Sequence, residues 1–119
     1  MKCEHSLTVG DPPRLLAART TIARTPLQRL IGLLGHASLS IDEAMVFPRC
    51  RSIHTWGMRF TIDVIAFDRE WRVLCTWSGL APGRLLPAQP GGWGIVELAA
   101  GALDQRLVRA GERLRLSDA

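Results

Sequence analysis

Residues 50–68, CRSIHTWGMRFTIDVIAFD, constrain the fold more than any other stretch of the chain. The second half of this stretch, residues 61–68, carries apolar side chains on both alternating phases. That pattern is typical of a strand covered on both faces. Asp63 interrupts the apolar run, and an ionised carboxylate among such neighbours needs a partner. The first half holds the densest group of chemically reactive side chains, so we expect any site to lie beside it.

Short strands separated by glycine- and proline-rich turns recur along the rest of the chain. The alternation of apolar residues predicts strands at residues 15–24, 44–47, 61–68, 72–77, 94–100 and 112–116, with residues 61–77 forming a hairpin. Residues 25–34 begin with Thr-Pro-Leu-Gln and have helical apolar spacing, which predicts a short helix. Residues 102–108 suit one or two helical turns. The sequence therefore indicates a mainly β sandwich or distorted barrel with one or two short helices.

The length of 119 residues indicates one domain. Residues 1–14 are interpreted as an N-terminal extension with a loose start that ends in Pro12 and Pro13, and residues 15–119 as a single β-rich domain. Residues 78–93 contain four glycines and three prolines and predict a long loop. Loops of that length in small domains are often functional.

Charge and cysteine content exclude several classes of protein. The net charge is +4, with fourteen arginines and one lysine, but the arginines are dispersed and no nucleic-acid-binding motif accompanies them. Binding to nucleic acid is therefore not expected. Cys3, Cys50 and Cys75 lack a CxxC spacing, which argues against a disulfide framework or a zinc ribbon. A Cys50–Cys75 bridge stays open. No stretch has the length of a signal-peptide core or a membrane span, so we expect a cytoplasmic protein.

Four segments in order resemble the small prokaryotic domain of unknown function 192 family. They are residues 29–34 (RLIGLL), 44–47 (AMVF), 53–58 (IHTWGM) with 62–68 (IDVIAFD), and 96–101 (VELAAG) with Gly111 and Glu112 downstream. The resemblance covers roughly residues 15–116. It implies a mainly β, jelly-roll-like sandwich with short helices, and it implies no reaction, since the biochemical role of the family is not established.

The leading functional hypothesis is a small non-catalytic binding or accessory module with a polar cleft beside residues 54–63. Asp63 and Glu97 are carboxylates on apolar strands, Arg84 lies in the long loop, and Trp56 and Trp93 could supply flat walls. The predicted ligand-binding residues are His54, Trp56, Met58, Asp63, Arg84 and Glu97. The ligand would be an unknown small molecule or a protein. No catalytic residue, metal or cofactor is assigned.

Other interpretations of these residues stay open. Cys50, His54 and Asp63 could form the Cys–His–acid set of a hydrolase-like enzyme. Cys50, His54 and Met58 are soft ligands for copper(I) or zinc, but their spacing matches no recognised site. Residues 112–116 could pair with another chain as an edge strand.

Asp63 also has a purely structural interpretation. Its carboxylate could bind backbone N–H groups across a loop or form a salt bridge. For a salt bridge we favour Arg84 as the partner, since a guanidinium can hold a carboxylate through two hydrogen bonds.

Overall fold

Nine strands and one short helix make up the part of the chain that the computed structural model describes, residues 5–23 and 39–118. The strands are β1 (His5–Val9), β2 (Arg14–Ile22), β3 (Glu43–Phe47), β4 (Ile53–His54), β5 (Ile62–Phe67), β6 (Val73–Leu80), β7 (Leu85–Leu86), β8 (Gly94–Ala99) and β9 (Leu114–Asp118), and the helix is α1 (Ala102–Gln105). The prediction of a mainly β fold is confirmed.

Seven of the strands form one sheet in the order β6-β5-β8-β3-β2-β1-β9, and β4 and β7 form a separate pair. Neighbouring strands are antiparallel except β2 and β3, which are parallel. The two edges of the large sheet meet at one end. There the N–H of Leu114 donates to the carbonyl of Trp71 (2.8 Å), and the N–H of Gly111 donates to the carbonyl of Val73 (2.8 Å). The sheet therefore curls into a half-barrel, which agrees with the predicted distorted barrel.

Both faces of the sheet carry a hydrophobic core. The inner cluster draws on every strand of the large sheet and includes Phe67, Val96, Leu98, Val73 and Leu114. The second cluster lies on the other face, where Leu86 of β7 covers residues such as Met45, Val64 and Ile95. All six residues of β5 are buried. This burial confirms the prediction, from apolar side chains on both phases, that the strand is covered on both sides.

The structure corrects the loose start predicted for residues 1–13. Residues 5–9 form β1, which pairs with β2 on one side and with β9 on the other. Leu7 and Val9 are buried in the inner core, and this burial explains why the segment is ordered against the sheet. The division of the chain between residues 14 and 15 stays a prediction.

Three other local predictions need revision. The loop expected over residues 78–93 is shorter, because β6 continues to Leu80 and residues 85–86 form β7. The helix expected over residues 102–108 ends at Gln105. The last strand begins at Leu114 and runs to Asp118. The helix predicted at residues 25–34 lies outside the described residues. Within the described part of the chain, no helix is long and apolar enough to cross a membrane.

Candidate functional site

The six predicted ligand-binding residues separate into two groups in the structure. His54, Trp56 and Arg84 are exposed and lie together, whereas Met58, Asp63 and Glu97 are buried. The predicted cleft beside residues 54–63 is therefore not a single cluster of these six side chains. Three of them belong to the surface and three belong to the interior.

The exposed group lies at the small β4–β7 sheet, in which His54 pairs with Leu85, and Trp56 and Arg84 flank its two strands. The His54 and Trp56 rings are stacked with their centroids 4.9 Å apart. Trp56 is 59% exposed and Leu85 is 62% exposed, which is unusual for such large apolar side chains. We call His54, Trp56, Arg84 and Leu85 the platform. It presents an aromatic stack, an aliphatic side chain and a guanidinium to solvent.

Thr55 holds the platform in place, and sequence reasoning gave it no role of its own. Its buried hydroxyl donates to the carbonyl of Ala81 (2.7 Å) and accepts the N–H of Arg84 (2.8 Å). Its own N–H donates to the carbonyl of Arg84 (2.8 Å), and its carbonyl accepts the N–H of Gly83 (3.0 Å). These four bonds fix the loop of residues 81–84 against β4. The hydrogen-bond partners of Thr55 lie up to 29 residues away along the chain, so no local sequence pattern predicts this role. The sequence shows only a polar residue between His54 and Trp56.

Met58 is a core residue and not part of the platform. Its side chain is buried in the second hydrophobic cluster, and its N–H donates to the carbonyl of Thr55 (3.2 Å). The thioether is therefore enclosed by apolar neighbours, where a flexible side chain fills space.

Asp63 has no exposed surface, and its carboxylate is occupied by backbone N–H groups. Oδ1 accepts the N–H of Gly79 (2.8 Å), and Oδ2 accepts those of Gly101 (3.2 Å) and Leu103 (3.0 Å). The expectation that this carboxylate has a partner is confirmed. The pairing with Arg84 is wrong, because Asp63 is fully buried while Arg84 is exposed, and no ion pair joins them among the described residues. Asp63 therefore links β5 to β6 and to the turn that precedes α1. This agrees with the structural interpretation, in which its carboxylate binds backbone N–H groups across a loop.

Glu97 is only 2% exposed, and it lies in the middle of β8 between Met45 and Val64 of the neighbouring strands. Its Oε2 atom has no hydrogen-bond partner among the described residues. Burial without a compensating charge raises the pKa of this carboxyl to about 8. Glu97 is therefore mainly protonated at neutral pH, and its side chain is enclosed in the interior rather than exposed on the platform.

The residues of the hydrolase-like alternative do not assemble into a catalytic set. Asp63 is bonded to backbone N–H groups and cannot orient His54, whose ring stacks on Trp56 instead. The Cys50 thiol donates to the carbonyl of Ser52 (3.1 Å). Cys50 and Cys75 are both thiols, so the bridge between them is absent. Within residues 5–23 and 39–118, no three His, Cys, Asp or Glu side chains are placed to hold a metal ion.

β9 is an edge strand, as pairing of residues 112–116 with another chain would require. The start of β9, however, already pairs with residues 71–73. Pairing of this edge with a second chain stays a prediction.

A protein-family model matches most of this chain. It is the model of DUF192, described as Uncharacterized ACR, COG1430, and it matches residues 8–116. This chain belongs to the DUF192 family. The resemblance noted in the sequence is thereby confirmed. None of the curated proteins matches the chain.

Two solved structures share the DUF192 fold seen here. One is a protein of unknown function from Novosphingobium aromaticivorans DSM 12444, with 20% identity, a TM-score of 0.79, and coverage of 92% of this chain and 83% of that one. The other is a putative transcription regulator from Sinorhizobium meliloti 1021, with 17% identity, a TM-score of 0.82, and coverage of 97% and 95%. At these identities the likeness shows the fold alone, and function has to be argued from the surface of this DUF192 chain.

Proposed function

We propose that this DUF192 protein is a non-catalytic binding module whose platform docks a partner protein. The observation that carries the proposal is the exposed Trp56–His54 stack beside Arg84 and Leu85. Trp and Arg dominate the binding energy of protein interfaces when they lie near the centre of the contact. A surface of this composition is typical of an interaction site.

The rigidity of the platform supports the same proposal. Thr55 ties both sides of the platform together through four hydrogen bonds, so the backbone that carries the aromatic stack and the backbone of Arg84 are held together before any partner arrives. A pre-ordered surface loses less conformational entropy on binding than a mobile loop does.

The exposure of the platform favours a protein over a small molecule. A small-molecule pocket encloses most of its ligand between concave walls. Trp56 and Leu85 instead project into solvent with more than half of their surface accessible, as the side chains of a flat interface do before association. We place this interaction in the cytoplasm as part of the proposal, because the thiols of Cys50 and Cys75 suit a reducing compartment.

Affinity capture with substituted proteins tests the proposal. The bait variants are Trp56→Ala, Arg84→Gln and Leu85→Ser, and the matched control is Leu107→Ser, which removes a leucine that is 58% exposed elsewhere on the surface. A captured protein counts only if it binds the purified wild-type chain in calorimetry. We expect Trp56→Ala to weaken that binding by roughly 2 kcal/mol or more, and Leu107→Ser to leave it unchanged.

The result that would overturn the proposal is a partner whose affinity is the same for wild type and all three platform variants. Capture of no partner that depends on the platform counts against it equally. Circular dichroism of each variant confirms that a lost interaction does not reflect a lost fold.

A further inference from the structure

Three loops meet at one end of the central strands, at a surface separate from the platform. β3 and β5 both run antiparallel to β8, which lies between them. The residues that follow β3 and β5 and those that precede β8 therefore emerge at the same end of the sheet. They enclose a cleft of about 1020 Å³ that is lined by Arg49, Arg51, Asp68, Arg69, Glu70, Gly91, Gly92 and Trp93. We call this space the loop cleft.

The loop cleft carries more positive than negative charge, since three arginines line it together with two acids, Asp68 and Glu70. Arg49, Arg51 and Arg69 are exposed, and their guanidinium groups have no ion pair or hydrogen bond among the described residues. Of the two acids in the cleft, Asp68 uses Oδ1 to accept the N–H groups of Glu70 (2.9 Å) and Arg72 (3.0 Å), which stabilises the β5–β6 turn.

The second acid of the cleft, Glu70, lies near Arg72, an arginine that does not line the cleft. Its Oε2 lies 3.9 Å from Nε of Arg72, and its side chain is largely exposed to solvent. Three guanidinium groups thus face one cleft without partners. Guanidinium groups bind phosphate and carboxylate through paired hydrogen bonds, so the cleft is suited to an anion.

The backbone at Arg49 supports this assignment. Arg49 has a φ of 57°, in the left-handed region that few residues other than glycine adopt. Glycine would adopt this conformation without strain, yet the chain has an arginine whose side chain lines the cleft. Strained backbone of this kind is concentrated at functional sites, where the surrounding structure maintains it.

Trp93 adds an aromatic wall to the basic cleft. Its N–H donates to the carbonyl of Phe67 (2.9 Å), and its ring packs 5.9 Å from the Phe67 ring and 6.0 Å from the Trp71 ring. The indole is therefore fixed by its neighbours while part of it stays accessible. A fixed aromatic ring beside arginines is a favourable surface for stacking a nucleobase.

We propose that the loop cleft binds a nucleoside phosphate, with the phosphates on Arg49, Arg51 and Arg69 and the base against Trp93. The volume of the cleft exceeds that of a lone phosphate and is sufficient for a ligand of nucleotide size. The same chemistry is present in a free nucleotide and in a single-stranded nucleic acid. This site is independent of the platform and of its protein partner.

Isothermal titration calorimetry with three probes tests the proposal at fixed ionic strength. The probes are inorganic triphosphate, ATP and a short single-stranded oligothymidylate. We expect ATP to bind more tightly than triphosphate, because only ATP carries a base for Trp93. Tighter binding of ATP than of the oligothymidylate assigns the site to free nucleotides. The reverse order, with a steep loss of affinity as salt rises, assigns it to single strands.

Substitutions locate the site. Arg51→Gln and Arg69→Gln should each weaken ATP binding roughly tenfold, as expected for the loss of a charge-assisted hydrogen bond. Arg49→Gly should weaken it similarly while the melting temperature stays the same or rises, because glycine relieves the positive φ. The matched control is Arg59→Gln, which removes an exposed arginine before β5, whereas Arg69 follows that strand.

Two results would overturn the assignment. One is that wild type binds none of the three probes. The other is that Arg59→Gln weakens ATP binding as much as Arg51→Gln does. That result would show that the loss of ATP binding reflects only the lower net charge of the protein. Trp93→Leu should remove the advantage of ATP over triphosphate, and if that variant does not fold, the three arginine variants decide the question alone.

Discussion

Asp63 and Glu97 are buried carboxyl groups on neighbouring strands of one sheet, and they differ in their hydrogen bonding. Asp63 faces the inner core and accepts three backbone N–H groups. Glu97 faces the other core, where its Oε2 has no partner among the described residues. The two residues are about equally buried, so burial by itself does not decide how a carboxylate behaves.

The difference in hydrogen bonding follows from the position of each residue in the paired strands of the sheet. Asp63 lies near the start of β5, where a register shift between Ile62 and Val64 interrupts pairing with β6 and leaves the N–H of Gly79 available. The turn at residues 100–103 brings two more N–H groups. Glu97 lies mid-strand, paired on both sides with β3 and β5, where backbone N–H groups are already used by the ladder.

The largest effect is expected at Asp63. Asp63→Ala leaves three N–H groups in or near the interior without an acceptor, at about 1–3 kcal/mol each. We expect chemical denaturation to show a loss of roughly 3–9 kcal/mol, or a chain that does not fold. Asp63→Asn keeps the shape but can accept through only one oxygen, so we expect a smaller loss of about 2–4 kcal/mol. A loss below about 1 kcal/mol for Asp63→Ala would contradict the structural role.

The second prediction concerns pH and Glu97. The pKa of this carboxyl is about 8 in the folded chain against 4.5 for an unperturbed glutamate. As pH rises from about 4.5 to 8, the unfolded chain loses this proton while the folded chain keeps it, so stability falls. At about 1.4 kcal/mol per unit of pKa, the total loss is on the order of 5 kcal/mol, and stability levels off above pH 8.

Glu97→Gln is the control for this pH dependence, because the amide keeps the shape and does not ionise. Denaturation measured from pH 5 to 9 should give a flatter curve for Glu97→Gln than for wild type. Parallel curves would show that another group causes the pH dependence, and would remove the contrast between the two carboxylates.

Apolar replacement sharpens the comparison further. Glu97→Met replaces a carboxyl whose Oε2 has no partner among the described residues with a side chain of similar length that suits the surrounding Met45, Val64 and Ile95. We expect a gain of roughly 1–2 kcal/mol at pH 7, since burying a polar group without a hydrogen bond is unfavourable. Asp63→Leu should change the free energy of unfolding in the opposite direction. Thermal melts of both variants at one pH measure the signs, and equal signs would contradict our account.

The sequence predicted the environment of these residues better than their contacts. Apolar neighbours on both phases of residues 61–68 were enough to predict that Asp63 is buried and needs a partner. The partners themselves are N–H groups of residues 79, 101 and 103, which every residue type but proline carries, so no side-chain pattern marks them. A sequence displays side chains but not the backbone donors of distant residues, and for this reason it favours Arg84 as the partner of Asp63.

The candidate site shows the same limit. His54 and Trp56 do lie on an exposed surface near Arg84, where polar and aromatic side chains are dense in the sequence. Met58, Asp63 and Glu97 fall in the interior, because their orientation depends on strand register and on the pairing of β5 with β8. The convergence of Arg49, Arg51 and Arg69 with Trp93 depends on the order of strands in the sheet, which short-range patterns do not encode.

The smallest expected effect is the coupling between Asp63 and Arg84, and it tests the correction directly. In a double-mutant cycle of Asp63→Asn and Arg84→Gln, a salt bridge would give a coupling of about 0.5–3 kcal/mol. We expect the two effects to add within about 0.3–0.5 kcal/mol, because Asp63 bonds to the backbone of other loops and Arg84 is held to Thr55 through its own backbone. Arg84→Gln alone should leave stability almost unchanged, since its exposed side chain has no bond to Asp63. A coupling above about 1 kcal/mol would show that the guanidinium does reach the carboxylate in solution, and the loop of residues 81–84 would then depend on two anchors instead of on Thr55.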